Sequence, residues 1–454
     1  MLVAVTFEGS YTVRPSNPTW IGTMALSEWD QIGCLTHVPA IYFYRSPQST
    51  TSTIADTLKD SLSRVMVSFY PLAGRLQWIG NGRLQLQCNA MGARFIVAKC
   101  ESNLNDIGDL SLCSQHRNLF PSADYSLPIH EIPLFLVQLT TFRCGGFSIG
   151  IALSHTVADG PAALHFMSEW ARVTRGETLQ TPPFLDRSVF RAGQPPLAGS
   201  PPPILNDYPE YGSPALLLGQ SDTLEERKEK TTTAMLRITK DQVEKLRKMA
   251  NESWEKPKVR GFTRYETICG YVWTISCKAR GHRKEQPTAI GICVDSRSRM
   301  KPELPREYFG TATFDVIAQS VAGDLMSKPL GFAASKVREA IEKVTDKYIR
   351  SLIEFLKNQK ELTEFQDIHT VLRKEEGPFY GNPNITVVSW LTLPLYGFDF
   401  GWGKEDYMGP GPYEEDGTSL LMHSPEGDGS VVVAMCLQEA HMNEFKKLFY
   451  QDMV

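Results

Sequence analysis

The sequence predicts an α/β protein of two domains. Three observations carry this: a chain of 454 residues, too long for one common domain; a proline-dense stretch near its midpoint; and helical and strand periods alternating on both sides of it. Hydrophobic residues at 42% and charged residues at 22% are the composition of a folded chain with large cores. The 47 basic and 51 acidic residues leave a net charge of −4, which removes the electrostatic argument for nucleic acid or an anionic membrane as main partner.

The midpoint reads Gln194-Pro-Pro-Leu-Ala-Gly-Ser-Pro-Pro-Pro203. Proline at that density continues neither helix nor central strand, so a stiff crossover over 191–228 is expected to join domains 1–190 and 229–454. In the first, Ile54, Leu58, Leu62 and Val65 recur at helical spacing, with Pro71 ending the element. Residues 147–154 alternate apolar (Phe147, Ile149, Ile151, Leu153) with small, and predict a half-buried strand. A helical stripe of Ala163, Phe166, Met167 and Trp170 follows. In the second, Thr239 and Gln242 form a capping box that opens a helix burying Val243, Leu246 and Met249. One long helix is expected to carry Val337, Ile341, Val344, Tyr348, Leu352 and Leu356. Strands are expected at 386–393, 419–422 and 430–437, then a last helix from Glu439.

The nine cysteines are scattered without Cys-x-x-Cys and show neither a disulfide framework nor zinc spacing. The N-terminus lacks the pattern of a signal peptide, and no run nears the about 18 apolar residues of a membrane span. A soluble, cytosolic, metal-free monomer is the expectation.

For chemistry, His155 stands first. It follows the alternating strand in Leu153-Ser-His-Thr-Val-Ala-Asp-Gly-Pro161, where a rigid element gives way to a loop. An imidazole with an ordinary pKa of about 6.5 can accept a proton near neutral pH. Asp159 lies four positions on; read structurally, it is a helix N-cap and His155 a satisfied loop histidine. Alone the pair is a weak signal, because composition produces it by chance. There is no phosphate loop and no His-Glu-x-x-His helix. His165 and Glu169 share a helical face and read as a surface pair rather than a metal site. The second motif, Asp399-Phe-Gly-Trp-Gly403, permits tight turns through Gly401 and Gly403 around Trp402; as architecture, its aspartate would pair with an arginine such as Arg297 or Arg299.

Together, His155-x-x-x-Asp159 at mid-chain and Asp399-Phe-Gly-Trp-Gly403 near the end resemble the plant BAHD acyl-CoA-dependent acyltransferases. The resemblance runs the whole length, through Tyr70-Pro-Leu-Ala-Gly-Arg-Leu76, Leu185-Asp-Arg187, Tyr265-Glu-Thr267 with Trp273, Val294-Asp-Ser-Arg-Ser-Arg299, Leu304-Pro305 and Tyr308-Phe-Gly310. It implies two chloramphenicol-acetyltransferase-like α/β domains with a solvent channel at their interface and His155 midway along it. His155 would be general base in a ternary complex, Asp159 a support paired to an arginine, and the Asp399 loop structural, with Asp399 paired to Arg297. Acyl-CoA would be a co-substrate, with no permanently bound cofactor.

Family members that acylate shikimate or quinate carry an arginine where Glu375 falls here, beside Glu376. An acidic group there would repel a carboxylate and attract an ammonium, unless both glutamates are simply exposed loop charges. Val38 and Ala40, just before Tyr42, occupy two acceptor positions that the resemblance makes small and polar. Ser10-Tyr-Thr-Val-Arg-Pro15, Leu26-Ser-Glu-Trp-Asp-Gln31 and Ser389-Trp-Leu-Thr-Leu-Pro394 resemble the spermidine hydroxycinnamoyl transferase branch. This implies hydroxycinnamoyl-CoA as donor, with Trp390 a wall for its ring, and a polyamine as acceptor. Thr263, Arg264 and Lys258, with Lys256 and Arg260, are the candidates for CoA. The alternatives are an alcohol acceptor with the same His155 chemistry, or a non-catalytic member that only binds a ligand.

Overall fold

The computed structural model describes residues 4–32, 35–45, 51–107, 113–191, 229–252, 260–366, 381–412 and 414–453. Its first half contains β1 (Val5–Val13), β2 (Gly22–Ala25), β3 (His37–Tyr44), α1 (Thr51–Val65), β4 (Arg75–Gly80), β5 (Arg83–Cys88), β6 (Ala93–Cys100), β7 (Phe135–Phe142), β8 (Phe147–Ser154) and α2 (Gly160–Thr174). Its second half contains β9 (Thr231–Ile238), α3 (Lys240–Glu252), α4 (Arg264–Ala279), β10 (Pro287–Asp295), β11 (Thr313–Val321), α5 (Ala322–Ser327), α6 (Leu330–Lys343), α7 (Asp346–Lys357), β12 (Ile385–Ser389), β13 (Tyr407–Pro410), β14 (Thr418–His423), β15 (Val431–Gln438) and α8 (Glu439–Gln451). The expected proline-rich crossover falls almost wholly on 192–228, outside the described residues.

Two mixed six-stranded sheets organise these elements, in the orders β1-β6-β7-β8-β3-β13 and β11-β10-β12-β14-β15-β9, with a small sheet β2-β5-β4 beside them. The first sheet is completed by a strand from the second half: β13 pairs antiparallel with β3, Met408 opposite Tyr42. One core packs α1 and α2 (Leu58, Leu62, Phe166, Trp170) on Phe147 and Ile149, and also takes Phe398, Phe400 and Met408 from the second half. The other packs Trp273, Val337, Tyr348 and Phe445 on Ile290 and Val433, and takes Trp29 and Phe190 from the first. Each core thus borrows side chains across the midpoint.

Several local expectations hold. The Thr239 capping box forms, with the Thr239 N–H donating to Gln242 Oε1 at 2.9 Å and the Gln242 N–H to Thr239 Oγ1 at 3.3 Å. The last helix begins at Glu439. Other details differ. Met249 is 36% exposed, and Ala250 takes the buried place in α3. Helix α1 stops at Val65, and Pro71 sits in a separate 3₁₀ turn, Tyr70–Ala73. The predicted long helix is two: Thr345, extended at φ −104°, caps the start of α7 through its hydroxyl, and Arg299 donates to the carbonyls of Ile341 and Val344. The apolar stripe continues across the break because both helices pack on one core, so periodicity alone could not show it. The strand expected over 386–393 ends at Ser389, with one further bond from the Trp390 N–H to the Leu421 carbonyl at 2.8 Å.

The strand at 147–154 is buried on both faces, not one. Its small face is a docking surface for backbone: a Cβ on Gly150 would lie 2.4 Å from the carbonyl oxygen of Leu119. Small residues here mark close approach of another chain segment rather than water. G150A should therefore destabilise the protein by about 1–3 kcal/mol through overpacking, read as a lower urea midpoint. A midpoint equal to the parent's would show that the Leu119 segment yields freely.

Candidate active site

Strand β8 carries the chain between β7 and β3 and releases it at Ser154, which puts His155 at the sheet's end. The His155 N–H donates to the Thr36 carbonyl at 3.1 Å, and its own carbonyl accepts from Thr311 Oγ1 at 2.8 Å. The side chain lines a cavity of about 570 Å³ between the two halves. From the first half Val38, Ala40, Tyr42, Ile151, Leu153 and Met167 form its wall; from the second come Thr263 to Tyr265, Cys293 to Asp295, Arg299 and Val388 to Leu393. Of the residues singled out in the sequence, Val38, Ala40, Tyr42, Trp390, Thr263 and Arg264 meet there with His155. Glu375, Glu376, Lys258 and Lys256 lie outside the described residues.

Asp159 fills both roles proposed for it. As N-cap of α2 its Oδ1 accepts the Ala162 N–H at 3.1 Å. As an ion-pair partner it takes Arg297 bidentately, Nη2 to Oδ1 at 2.8 Å and Nη1 to Oδ2 at 2.9 Å, while Oδ2 also accepts the Ala312 N–H at 2.9 Å. Both side chains are almost fully buried. Burial opposes the charge on Arg297, but Asp159 and Asp295 more than reverse this and raise its pKa above the ordinary value. With four donors on its two oxygens, Asp159 is a support for the loop rather than a proton relay.

Asp399 does not pair with Arg297. Its Oδ1 accepts the N–H groups of Gly401 and Gly403 at 2.7 and 2.9 Å, and its carbonyl accepts from Arg175. The two glycines have φ of 103° and 94°, so the chain coils back over its own carboxylate, which satisfies it locally and leaves no need for a distant cation. Phe400 packs edge-on against Trp170 at 5.0 Å and Trp402 against Phe147 at 5.6 Å, which docks the loop on the first core. No residue from Asp399 to Gly403 lines the cavity.

Thr263 is the N-cap of α4 in a full capping box with Glu266. Burial would raise the Glu266 pKa, but hydrogen bonds from Arg338 and Arg260 hold it down to about 2. Arg260 is thereby committed to Glu266 at 2.8 Å, while Arg264 is exposed at the cavity wall. Nor are His165 and Glu169 a surface pair. Glu169 is buried and accepts the N–H groups of Gln180 and Thr181, and His165 Nε2 meets the Thr181 carbonyl at 2.9 Å, so both brace the turn after α2. Among the described residues no cluster of His, Cys, Asp or Glu could hold a metal ion, and no helix is long and apolar enough to cross a membrane.

Arg187 and Thr311 also reach the His155 loop, and Asp30 bonds both of them; residue pattern alone assigns none of the three a role. Arg187 was visible only as part of Leu185-Asp-Arg187, and Asp30 only as part of Leu26-Ser-Glu-Trp-Asp-Gln31.

A histidine presented to a cavity between two α/β lobes, with its loop clamped from both, is the arrangement of a two-lobed acyltransferase. The chain is one: residues 3–452 match the Transferase family, and it belongs to that family, the plant BAHD acyl-CoA-dependent acyltransferases. It is 42% identical to hydroxycinnamoyl-CoA:piscidic acid hydroxycinnamoyltransferase of Actaea racemosa over 452 residues, 99% of this chain and all of that one. It is 36% identical to shikimate O-hydroxycinnamoyltransferase of Nicotiana tabacum, covering 91% of this chain and 92% of the other. It shares its fold with vinorine synthase, at a TM-score of 0.73 and 24% identity over 97% of this chain and 96% of that structure. The same holds for TRI101 of F. sporotrichioides, solved with coenzyme A and T-2, at 0.70 and 17% over 94% and 97%.

Two outcomes are expected. Replacing Arg297 by alanine strands the buried Asp159 carboxylate and should cost about 3–5 kcal/mol in chemical denaturation. A loss below 1 kcal/mol (roughly the worth of an exposed pair) would show the pair to be solvated. Beside the cavity, His37 Nε2 meets the Pro133 carbonyl at 2.8 Å and Nδ1 the Tyr125 hydroxyl at 2.9 Å. Burial lowers its pKa to about 4, only partly offset by that carbonyl. The unfolded chain then binds the extra proton first, so this stability is intact above about pH 6.5 and is lost as pH falls towards 4. In H37Q the melting temperature should fall less across that window than in the parent, and an identical fall would clear His37.

Proposed function

We propose that the protein moves a hydroxycinnamoyl group from CoA to an amine, a polyamine such as spermidine, with His155 as general base in a ternary complex. The observation that carries this reading is the His155 side chain on the wall of a mainly apolar cavity, its backbone held on both sides. An acceptor amine near that ring gives up a proton as its nitrogen attacks the thioester carbonyl. The tetrahedral intermediate then collapses, the C–S bond breaks, and the CoA thiolate takes the proton back from the imidazolium. No acyl-enzyme is required. An ammonium has a pKa of about 10, so delivering a neutral amine calls for both the base and an environment poor in water.

The donor's aromatic ring fits an apolar lining that includes Trp390, Leu391, Leu393, Tyr42 and Met408. Tyr42 is buried, and its phenol is kept protonated by burial and by Glu405, so it packs as a neutral ring. Arg264 supplies an exposed cation where the CoA phosphates would pass; Lys258 is a further candidate from the sequence. Support for a hydroxycinnamoyl donor comes from relatives named for it, among them the 5-hydroxyanthranilate N-hydroxycinnamoyltransferase HHT4 of Avena sativa at 31% identity, an N-acylating enzyme by name. Support for a polyamine comes from the acidic Glu375 and Glu376 and from the branch motifs. A second reading, transfer to a hydroxyl, is favoured by the piscidic acid and shikimate relatives. The same His155 chemistry would serve it.

H155A should lower kcat by about 10²–10⁴ with the fold intact. Parent-like turnover would reject the general base. In a competition of spermidine against shikimate and related hydroxy acids, with p-coumaroyl-CoA as donor, the main product should be an amide. Efficient ester formation with no amide would replace the amine reading by the hydroxyl one. E375R should raise the KM for spermidine, and an unchanged KM would remove Glu375 from the argument.

A further inference from the structure

The His155 loop has a second set of supports besides the Asp159–Arg297 pair, and it converges on Thr311. Thr311 is buried. Its hydroxyl donates to the His155 carbonyl at 2.8 Å, and its N–H donates to Asp30 Oδ1 at 2.9 Å. Asp30 in turn accepts the Ser27 N–H on Oδ2 and pairs with Arg187 at 2.8 Å, both side chains at 2% exposure or less. Arg187 closes the ring by donating Nη2 to the Val157 carbonyl at 2.6 Å. The carbonyls of His155 and Val157 are therefore both held from one buried network, which draws on the N-terminal segment, the residues before the crossover and the 310–312 strand entry.

We propose that Thr311, braced by the buried Asp30–Arg187 pair, is a positioning residue that sets the orientation of the His155 imidazole. The argument is geometric. The His155 side chain leaves a backbone fixed at its N–H by Thr36 and at its carbonyl by Thr311. Releasing the carbonyl frees ψ at His155 and lets the ring swing relative to the cavity, while Asp159 still anchors the far end of the loop. Thr311 does not line the cavity, so it acts through His155 and not on substrate. A base displaced by about 1 Å can lose on the order of a hundredfold in rate, so loss of one anchor out of several is expected to cost about tenfold. The network also bears on why an aspartate and an arginine are buried there: both Asp30 oxygens and Arg187 Nη2 have backbone partners, and Nη1 faces the Asp30 carboxylate, which offsets part of the desolvation of the charges.

The inference rests on His155 acting as base, and the experiment separates the two claims. T311V keeps the side-chain shape and removes only the hydroxyl. In T311V kcat should fall about tenfold while KM for acyl-CoA and acceptor stay within about twofold, and the limb of the kcat/KM pH profile that reports the base should move. T311S, which restores the hydroxyl, should return both kcat and the profile. R187K keeps the charge beside Asp30 but loses the Nη2 bond to the Val157 carbonyl, and should show the same split between kcat and KM. Should T311V not fold, T311A against T311S gives the same comparison. If T311V or T311A turns over within twofold of the parent with an unchanged pH profile while H155A is inactive, the positioning role is refuted and the base stands. If H155A itself retains activity, the general-base reading fails first.

Discussion

The buried pair between Arg297 and Asp159 is the constraint on which the site depends. It joins side chains 138 positions apart and fixes the end of the loop that His155 begins. Two charges removed from water are tolerated only when their remaining hydrogen-bonding capacity is met. Here most of it is met, by the backbone N–H groups of Ala162 and Ala312, the Tyr308 carbonyl and the Asp295 carboxylate, while Arg297 Nε has no hydrogen-bond partner among the described residues. The same contacts tie the start of α2 to the turn after β10, so the geometry of the cavity and the pairing of the two halves are one structural fact.

The halves are also interlocked by exchange of elements. Strand β13 leaves the second half to complete the first sheet, and the preceding loop plugs the first core with Phe398 and Phe400. Asp399 organises that plug from within, by gathering two glycine N–H groups, and the motif stays off the cavity lining. The early end of β12 has the opposite effect: Trp390 keeps one bond to the Leu421 carbonyl, and the chain beyond it leaves the strand and lines the cavity with Leu391 to Leu393. One segment closes a core and its neighbour opens a site.

Much of the fold was legible in local pattern. The Thr239 capping box and the Asp159 cap of α2 depend on contacts within four residues, which sequence spacing encodes directly. The failures share a cause. Alternation at 147–154 was read as one wet face, but its small residues admit the Leu119 backbone. Continuous periodicity hid the break at Thr345, because both helices bury their stripe in the same core. Glu169 was read as exposed, yet it is buried beneath the turn it braces.

The sequence by itself determined which residues are available for chemistry: a histidine at a strand end, an aspartate one helical turn on, and the ordered motifs that place the chain in its family. Only the tertiary structure decided which partners those residues take. Arg297 stands two positions from Asp295, 138 from Asp159 and 102 from Asp399, and spacing offers no ground for choosing Asp159 over Asp399. The choice follows from burial: Asp399 satisfies itself against its own backbone, whereas Asp159 enters a dry interface where a charge without a counter-ion would be too costly to keep.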